Sequence, residues 1–355
     1  MKSAVDIVNF FLIWITLGMA LAWPFELFLF SYIVLGPLHY LTEINWLDKQ
    51  HYFLRTQDRR VFVWSMVGLV FLLTVSLVIG ESSDWQWTKA FHDAVVASAP
   101  GPVNFFLHWS WTLLLVAFAA AAACLFTNRW PLRLFIIGVC LLSSFFFYAM
   151  PAAAVLFGVF LPTIVHVFVF TILFMIYGSL KVRSFWGWAN IASMFLVIVV
   201  IALCPCTMCS RALGKTVMQM VQDSAFLPVN YGICKWLGLT NNGYVNFYSP
   251  IFFKVESFIA FAYTYHYLNW FSKTSIIKWH QVEKSKFVVS AVLWACSIAL
   301  YAVDYRLGFA AIFALSILHI VLEFPLNFVS MRSIFAAWRA KVEMLKRGNV
   351  ETLKG

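Results

Sequence analysis

From Val5 to Met331 the chain is written in apolar stretches separated by short groups of charged residues. The stretches run to about 20 residues, the length a helix needs to cross ~30 Å of hydrocarbon. They predict helices over 5–22, 24–45, 61–80, 102–126, 131–150, 152–178, 185–203, 250–272, 287–303 and 308–331. A transmembrane barrel would show short alternating segments instead, and none is evident. The expected fold is therefore all-α, a polytopic transmembrane helical bundle of about ten spans. The first forty residues read either as one long tilted helix or as two joined at Trp23-Pro24, where proline disfavours an unbroken helix.

Charge placement decides that point and sets the orientation. With two spans before residue 46, Lys49/Arg55/Arg59/Arg60, Arg129/Arg133, Lys181/Arg183, Lys273/Lys278/Lys284/Lys286 and the tail 332–355 all fall on one side. Basic loops mark the cytoplasmic face, so both termini are expected there. The other side receives the acidic 81–101 loop and the longest connection, the outer loop 204–249. No internal repeat or low-complexity tract appears. The chain reads as one membrane domain over 1–331 followed by a basic cytoplasmic tail over 332–355.

Composition agrees with this reading: 63% of residues are hydrophobic, only 11% are charged, and the mean hydropathy is +0.84. Soluble domains carry roughly 25% charged residues, so a soluble globular protein is excluded. The net charge of +10 would suit a nucleic-acid partner if it were clustered on one surface. Its dispersal over loops and tail makes it a topology signal, and no nucleic acid is expected. Membrane lipids are the expected surroundings, and a bacterial inner or plasma membrane the expected location. No short apolar segment precedes a small-residue cleavage site, so the first run is expected to remain in the mature chain. The 37 Phe and 16 Trp either face lipid, mark the interfaces or line a pocket for a long apolar ligand.

Eight histidines are present. His51 and His280 fall in cytoplasmic loops, His92 in the 81–101 loop, and His108 near the end of its helix. His39, His166, His266 and His319 fall inside apolar spans, where an ionisable group is costly and marks a functional site by default. All four belong to helices running outside to inside, roughly 11–16 residues from the outer end, which at about 1.5 Å per residue is one shared layer. Taken singly, each serves equally as a polar link between helices. Together, four neutral imidazoles cannot easily satisfy one another's ring nitrogens, whereas a divalent metal accepts all four.

Two of the histidines carry a glutamate one helical turn later, His39 with Glu43 and His319 with Glu323. These are the candidate catalytic carboxylates, acting either as acceptors that fix the histidine tautomers or as direct ligands. Glu256 and Glu26 are further intramembrane acids. Pro37 and Pro162 precede His39 and His166 by two and four residues, so local unwinding of both helices is expected near the site.

The segments around these histidines resemble the bacterial and archaeal Brp/Blh family of membrane-bound β-carotene 15,15′-dioxygenases. Gly36-Pro37-Leu38-His39-Tyr40-Leu41-Thr42-Glu43 is similar to that family's G-L-P-H-G-A-L-D, with Glu for Asp. Leu318-His319-Ile320-Val321-Leu322-Glu323-Phe324 is similar to its P-H-M-I-L-I-D-F, with the acid shifted by one residue. Val165-His166-Val167-Phe168 is the counterpart of its I-H-F-G-M-A-D, although Thr171 stands where the acid would be. Phe261-Ala262-Tyr263-Thr264-Tyr265-His266 resembles the segment ending in F-I-H-S-R-R-H, with Trp270 in place of the second histidine. The resemblance covers some thirty residues.

It implies a non-haem Fe(II) held by His39, His166, His266 and His319, with a position open to dioxygen and a hydrophobic substrate (a carotenoid, another isoprenoid or a lipid) admitted from the bilayer. Tyr263, Tyr265, Tyr267 and Trp270 are then candidates for the substrate wall. Two other classes remain open. One is a transporter or non-catalytic component that uses the intramembrane His and Glu for protons or ions. The other is an electron carrier with b-haem between histidine pairs, although haems spanning a membrane usually need ligands at two depths.

Of seven cysteines, Cys124, Cys140 and Cys296 fall in spans and read as small apolar residues. Cys204, Cys206, Cys209 and Cys234 gather in the outer loop. Two disulfides stapling that loop are expected in an oxidising compartment, with a soft-metal site as the alternative.

Overall fold

The computed structural model describes residues 2–50, 59–81, 110–127, 129–149, 156–182, 184–205, 213–222, 226–240, 247–273, 278 and 281–352. Every regular element among them is helical. In chain order these are α1 (Lys2–Ala22), α2 (Pro24–Phe30), a π-helical stretch (Ser31–Leu35) and α3 (Gly36–Gln50), then α4 (Arg59–Glu81), α5 (Ser110–Phe126) and α6 (Trp130–Ala149). A second π-helical stretch (Leu156–Phe170) leads into α7 (Thr171–Val182). It is followed by α8 (Phe185–Leu203), α9 (Lys215–Gln222), α10 (Phe226–Trp236), α11 (Pro250–Ser272), α12 (Lys284–Val303) and α13 (Tyr305–Thr352).

Among the described residues each apolar run of the sequence falls on helix. Six segments are long and apolar enough to cross a membrane, namely Ala4–Ala22, Pro24–Asp48, Pro162–Val182, Phe185–Leu203, Lys284–Val303 and Leu307–Arg339. Two expectations are refined. The outer loop 204–249 contains α9 and α10, because the short apolar groups around Val221 and Val229 give it something to bury. The tail from Arg332 is not set apart, since α13 continues unbroken to Thr352.

The join at Trp23-Pro24 resolves into two helices. Trp23 leaves the helical region at φ −140, ψ 62, and Pro24 opens α2 at a first-turn position where its missing N–H costs nothing. The helix from Pro24 to Gln50 then widens over Ser31–Leu35. Pro37 explains the widening: its ring would strike the carbonyl four residues back in a regular α-helix, and a π turn gives it room. The backbone polarity this exposes is answered from a neighbouring helix, as apolar surroundings demand. Trp294 Nε1 of α12 donates to the Val34 carbonyl at 2.8 Å. Pro162 lies inside the second π-helical stretch, where the widened turn gives its ring the same room. Both expected distortions are present, each in the segment that delivers one of the histidines.

α11 is the central element. Residues on all its sides are buried, from Phe252 to Trp270, the mark of a helix enclosed by others. Ser249 caps its start, accepting from Phe252 N at 3.2 Å, and Pro250 occupies the first turn. α1, α2, both π stretches, α8 and α10 pack around it. Two apolar clusters result. One gathers α1, α2, α8, α10 and α11; the other gathers the end of α3 with α4, α5 and the middle of α13. Tyr40 and Val167 belong to the first cluster and Ile317 and Ile320 to the second, so the histidines beside them lie on the seam between the two.

Candidate metal centre

His39 on α3, His166 on the second π stretch, His266 on α11 and His319 on α13 meet on that seam, each less than a tenth exposed. His51, His92, His108 and His280 lie outside the described residues. The four rings form a closed circuit, with centroid separations of 4.8 Å (39–266), 5.1 Å (266–166), 5.0 Å (166–319) and 5.4 Å (319–39). Their faces are turned steeply to one another, so ring edges carrying nitrogen point inward. His39 Nε2 lies 3.1 Å from His266 Nε2, and His166 Nε2 lies 3.1 Å from His319 Nε2.

Hydrogen bonding alone does not account for these contacts. Thr171 Oγ1 donates to the Val167 carbonyl at 2.8 Å, so toward His266 it can only accept, at 2.8 Å from Nδ1. That fixes the His266 hydrogen on Nδ1 and leaves a bare lone pair on Nε2 facing the centre. His39 Nε2 is approached both by this lone pair and, at 3.0 Å, by Glu43 Oε2. One N–H cannot serve two acceptors, and Glu43 Oε2 has no hydrogen-bond partner. His39 Nδ1, His166 Nδ1 and Glu323 Oε2 are likewise buried without one. The Glu43 carboxylate oxygen and the inward Nε2 lone pairs are acceptors that a cation among them would satisfy, whereas a ring that gives its Nε2 to the cation keeps its Nδ1 for another partner.

The spacing suits such an ion. Two imidazole nitrogens bound side by side at about 2.1 Å from one metal stand roughly 3.0–3.4 Å apart. Both short nitrogen pairs fall in that interval. The ligand atoms of His39, His266 and His319 lie within 4.8 Å of one another, as do those of His166, His319 and Glu323. A bis-histidine haem would hold its two nitrogens about 4 Å apart with a flat macrocycle between them, and no such gap separates either pair.

The two glutamates are placed differently. Glu43 reaches the inward nitrogen of its histidine, whereas Glu323 stands 3.4 Å from His166 Nδ1, on the ring's outer side. Both carboxylates thus stand within reach of a ring nitrogen; Glu323 shares one of the two trios of ligand atoms with His166 and His319, and Glu43 shares neither. Glu256 is remote in its contacts, accepting from Asn230 Nδ2 of α10 at 2.8 Å.

Of the expected wall residues, Tyr267 and Trp270 flank His39 with ring centroids 5.1 and 5.4 Å away. Trp270 Nε1 donates to Thr42 Oγ1 at 3.0 Å. Tyr263 stands one turn further along α11 against Phe28 and Tyr32. Tyr265 is turned the other way, its hydroxyl donating to Asn9 Oδ1 of α1 at 3.4 Å, because adjacent helical positions diverge by about 100°. Tyr40 and Thr171 were missing from the site expected from sequence. Tyr40 stacks on His319 at 4.2 Å, and its position directly after His39 was the available signal.

The expected disulfides are not formed at the described cysteines. Cys234 is a buried free thiol that donates to Asn230 Oδ1 at 3.5 Å, and Cys204 is also free. The inward face of α10 keeps Cys234 within its own helix's polar contacts, and burial pushes its thiol pKa up. Cys206 and Cys209 lie outside the described residues.

Thr171 gives a direct prediction. Thr171→Val keeps the shape but removes the acceptor that fixes His266, and metal affinity should fall about 10- to 100-fold. Competition with a chromophoric chelator measures it; unchanged affinity would show that His266 is not held in this tautomer for a metal. No family model, characterised protein or solved structure matches this chain.

Proposed function

We propose that the chain is a membrane-embedded non-haem iron oxygenase that uses dioxygen on a hydrophobic substrate drawn from the bilayer. The observation that carries this reading is the convergence of four imidazoles as two trios of ligand atoms that share His319, with Glu323 in one and the Glu43 carboxylate against His39. Histidine with carboxylate is a donor set that suits iron and leaves room for open coordination. Iron(II) bound there would supply dioxygen activation, and the protein's part is binding, orientation and exclusion of water. Thr171 orients the His266 ring through Nδ1. The apolar clusters on either side keep the seam dry. The resemblance of the histidine segments to membrane carotenoid dioxygenases supports the same class. In this reading all ten predicted segments cross a bacterial inner membrane, and both ends face the cytoplasm.

Metal analysis by inductively coupled plasma mass spectrometry on detergent-purified protein tests the proposal. About one iron per chain is expected, with dioxygen uptake on addition of an isoprenoid or lipid substrate. Folded protein that binds no transition metal would overturn it. The histidines and glutamates would then be groups for moving protons or ions, and proton-coupled flux into proteoliposomes would be the next measurement.

A further inference from the structure

His319 and Glu323 are the first members of a longer polar stripe on α13. Asn327 and Ser330 follow at the spacing that keeps them on the same face, all four within roughly a quarter of the helix circumference. None of them is more than 2% exposed. The other sides of this stretch carry Ile317, Ile320, Val321, Leu322, Phe324 and Leu326, which pack in the second apolar cluster. The stripe leads from the centre toward the C-terminal end of the α13 span, where Ser333 is half-buried and Arg332 exposed. The histidines on the other helices have no such continuation. One turn beyond His166 stands Phe170, one turn beyond His266 stands Trp270, and one turn beyond Glu43 stands Leu47, all buried. Three helices thus close the centre on this side with apolar or ring side chains, and α13 alone continues it with polar ones.

Asn327 is the anomalous member. Its Oδ1 and its Nδ2 are both buried without a hydrogen-bond partner, and so is Glu323 Oε2 one turn nearer the centre. An amide brings two N–H groups and an acceptor oxygen into the bundle, and leaving all of them unspent is costly where leucine would fit at no such cost. What satisfies an amide and a carboxylate oxygen together is a visitor that offers positive charge and water at once, namely a hydrated cation. Pro325 lies inside α13 between the two, and its missing N–H removes one backbone bond from the turn that carries both. The centre also requires a way in, since none of its four histidines is more than 8% exposed.

We propose that the Ser330–Asn327–Glu323 stripe is the entry route by which a hydrated divalent cation reaches the histidine centre, admitted at the C-terminal end of the α13 span. The proposal rests on the metal reading of that centre and adds how the ion arrives. Asn327 Oδ1 takes the ion or a water of its shell, and Nδ2 holds a water oxygen. Glu323, about 6 Å further along the helix axis, passes the ion to His166 and His319, with which it shares a trio of ligand atoms. Neutral hydroxyl and amide oxygens hold such an ion less firmly than carboxylate and imidazole do, so the ion moves inward rather than resting on the stripe.

The test follows anaerobic uptake of Fe(II) by the metal-free full chain in nanodiscs, and its release to a chromophoric chelator. Asn327→Leu should slow uptake and release alike by about tenfold, the loss of one polar contact on the way, and leave the equilibrium affinity unchanged. Because leucine replaces an unpaired amide, metal-free Asn327→Leu should melt no lower than wild type. Wild type reconstituted in one orientation should fill only from the side where α13 ends. That measurement, together with slower uptake by Ser330→Ala, decides the matter if Asn327→Leu does not fold. Uptake at the wild-type rate in the folded variant, filling from the opposite side, or a lowered melting temperature overturns the route. A fall in affinity as large as the fall in uptake rate also overturns it, by making Asn327 a ligand. Wild type that takes up no divalent metal removes the route and the oxygenase reading together, whereas normal metal content with an unaltered rate in the variant removes the route alone.

Discussion

His319→Ala is expected to abolish metal binding, with a larger loss than any other single histidine. His319 belongs to both groups of converging ligand atoms, with His39 and His266 on one side and with His166 and Glu323 on the other. Its Nε2 sits 3.1 Å from that of His166, and its ring is pinned by the stacked ring of Tyr40. Removing it therefore breaks each set at once, whereas His166→Ala leaves the trio of His39, His266 and His319 intact. Losing one ligand of a preorganised site commonly costs more than the 10- to 100-fold that follows loss of an orienting partner. Stoichiometric metal in wild type, none in His319→Ala and a weakened, measurable fraction in His166→Ala is the expected series. Equal retention in both variants would mean that the convergence of these rings has no bearing on metal. Because imidazole and carboxylate bind metal only when deprotonated, occupancy in wild type should also fall on acidification.

Much of this arrangement was legible from spacing. Apolar helices leave a strong one-dimensional trace, and among the described residues every predicted run falls on helix, six of these segments being long and apolar enough to cross a membrane. The four histidines expected at similar distances along their helices do meet. The prolines at 37 and 162 correctly marked where the helices widen. Other features were not readable, since they depend on rotation about helix axes rather than on depth. Tyr265 and Tyr267 look equivalent in sequence, yet one faces Asn9 and the other His39. Glu43 and Glu323 each follow a histidine by four residues, but Glu323 also stands beside His166 on another helix, 3.4 Å from its Nδ1. Thr171 drew notice only as the absence of an acid, whereas its hydroxyl stands 2.8 Å from His266 Nδ1. The cysteine cluster misled because sequence proximity says nothing of which face Cys234 occupies, and that face is buried.

The centre's cost to the metal-free fold gives the second large expectation. In the absence of an ion, Glu43 Oε2 is buried without a partner, and a carboxylate 3% exposed must give up its hydration. The double variant His39→Leu/Glu43→Leu replaces both with apolar groups of similar volume. It should lose the metal and yet, once both proteins are stripped of metal, be more stable than wild type by about 1–4 kcal/mol, the range found when buried charged groups give way to well-packed apolar ones. With saturating metal the order should reverse, because a ligand that binds only the folded state stabilises it by about 4 kcal/mol at a thousandfold excess over its dissociation constant. Thermal melts in detergent, with and without chelator, measure all four states. A helix-packing role for the same residues predicts the opposite sign in the stripped proteins, since breaking a satisfied polar link destabilises. A double variant less stable than metal-free wild type would therefore assign His39 and Glu43 to packing, and the crossing of the two melting orders would assign them to an ion.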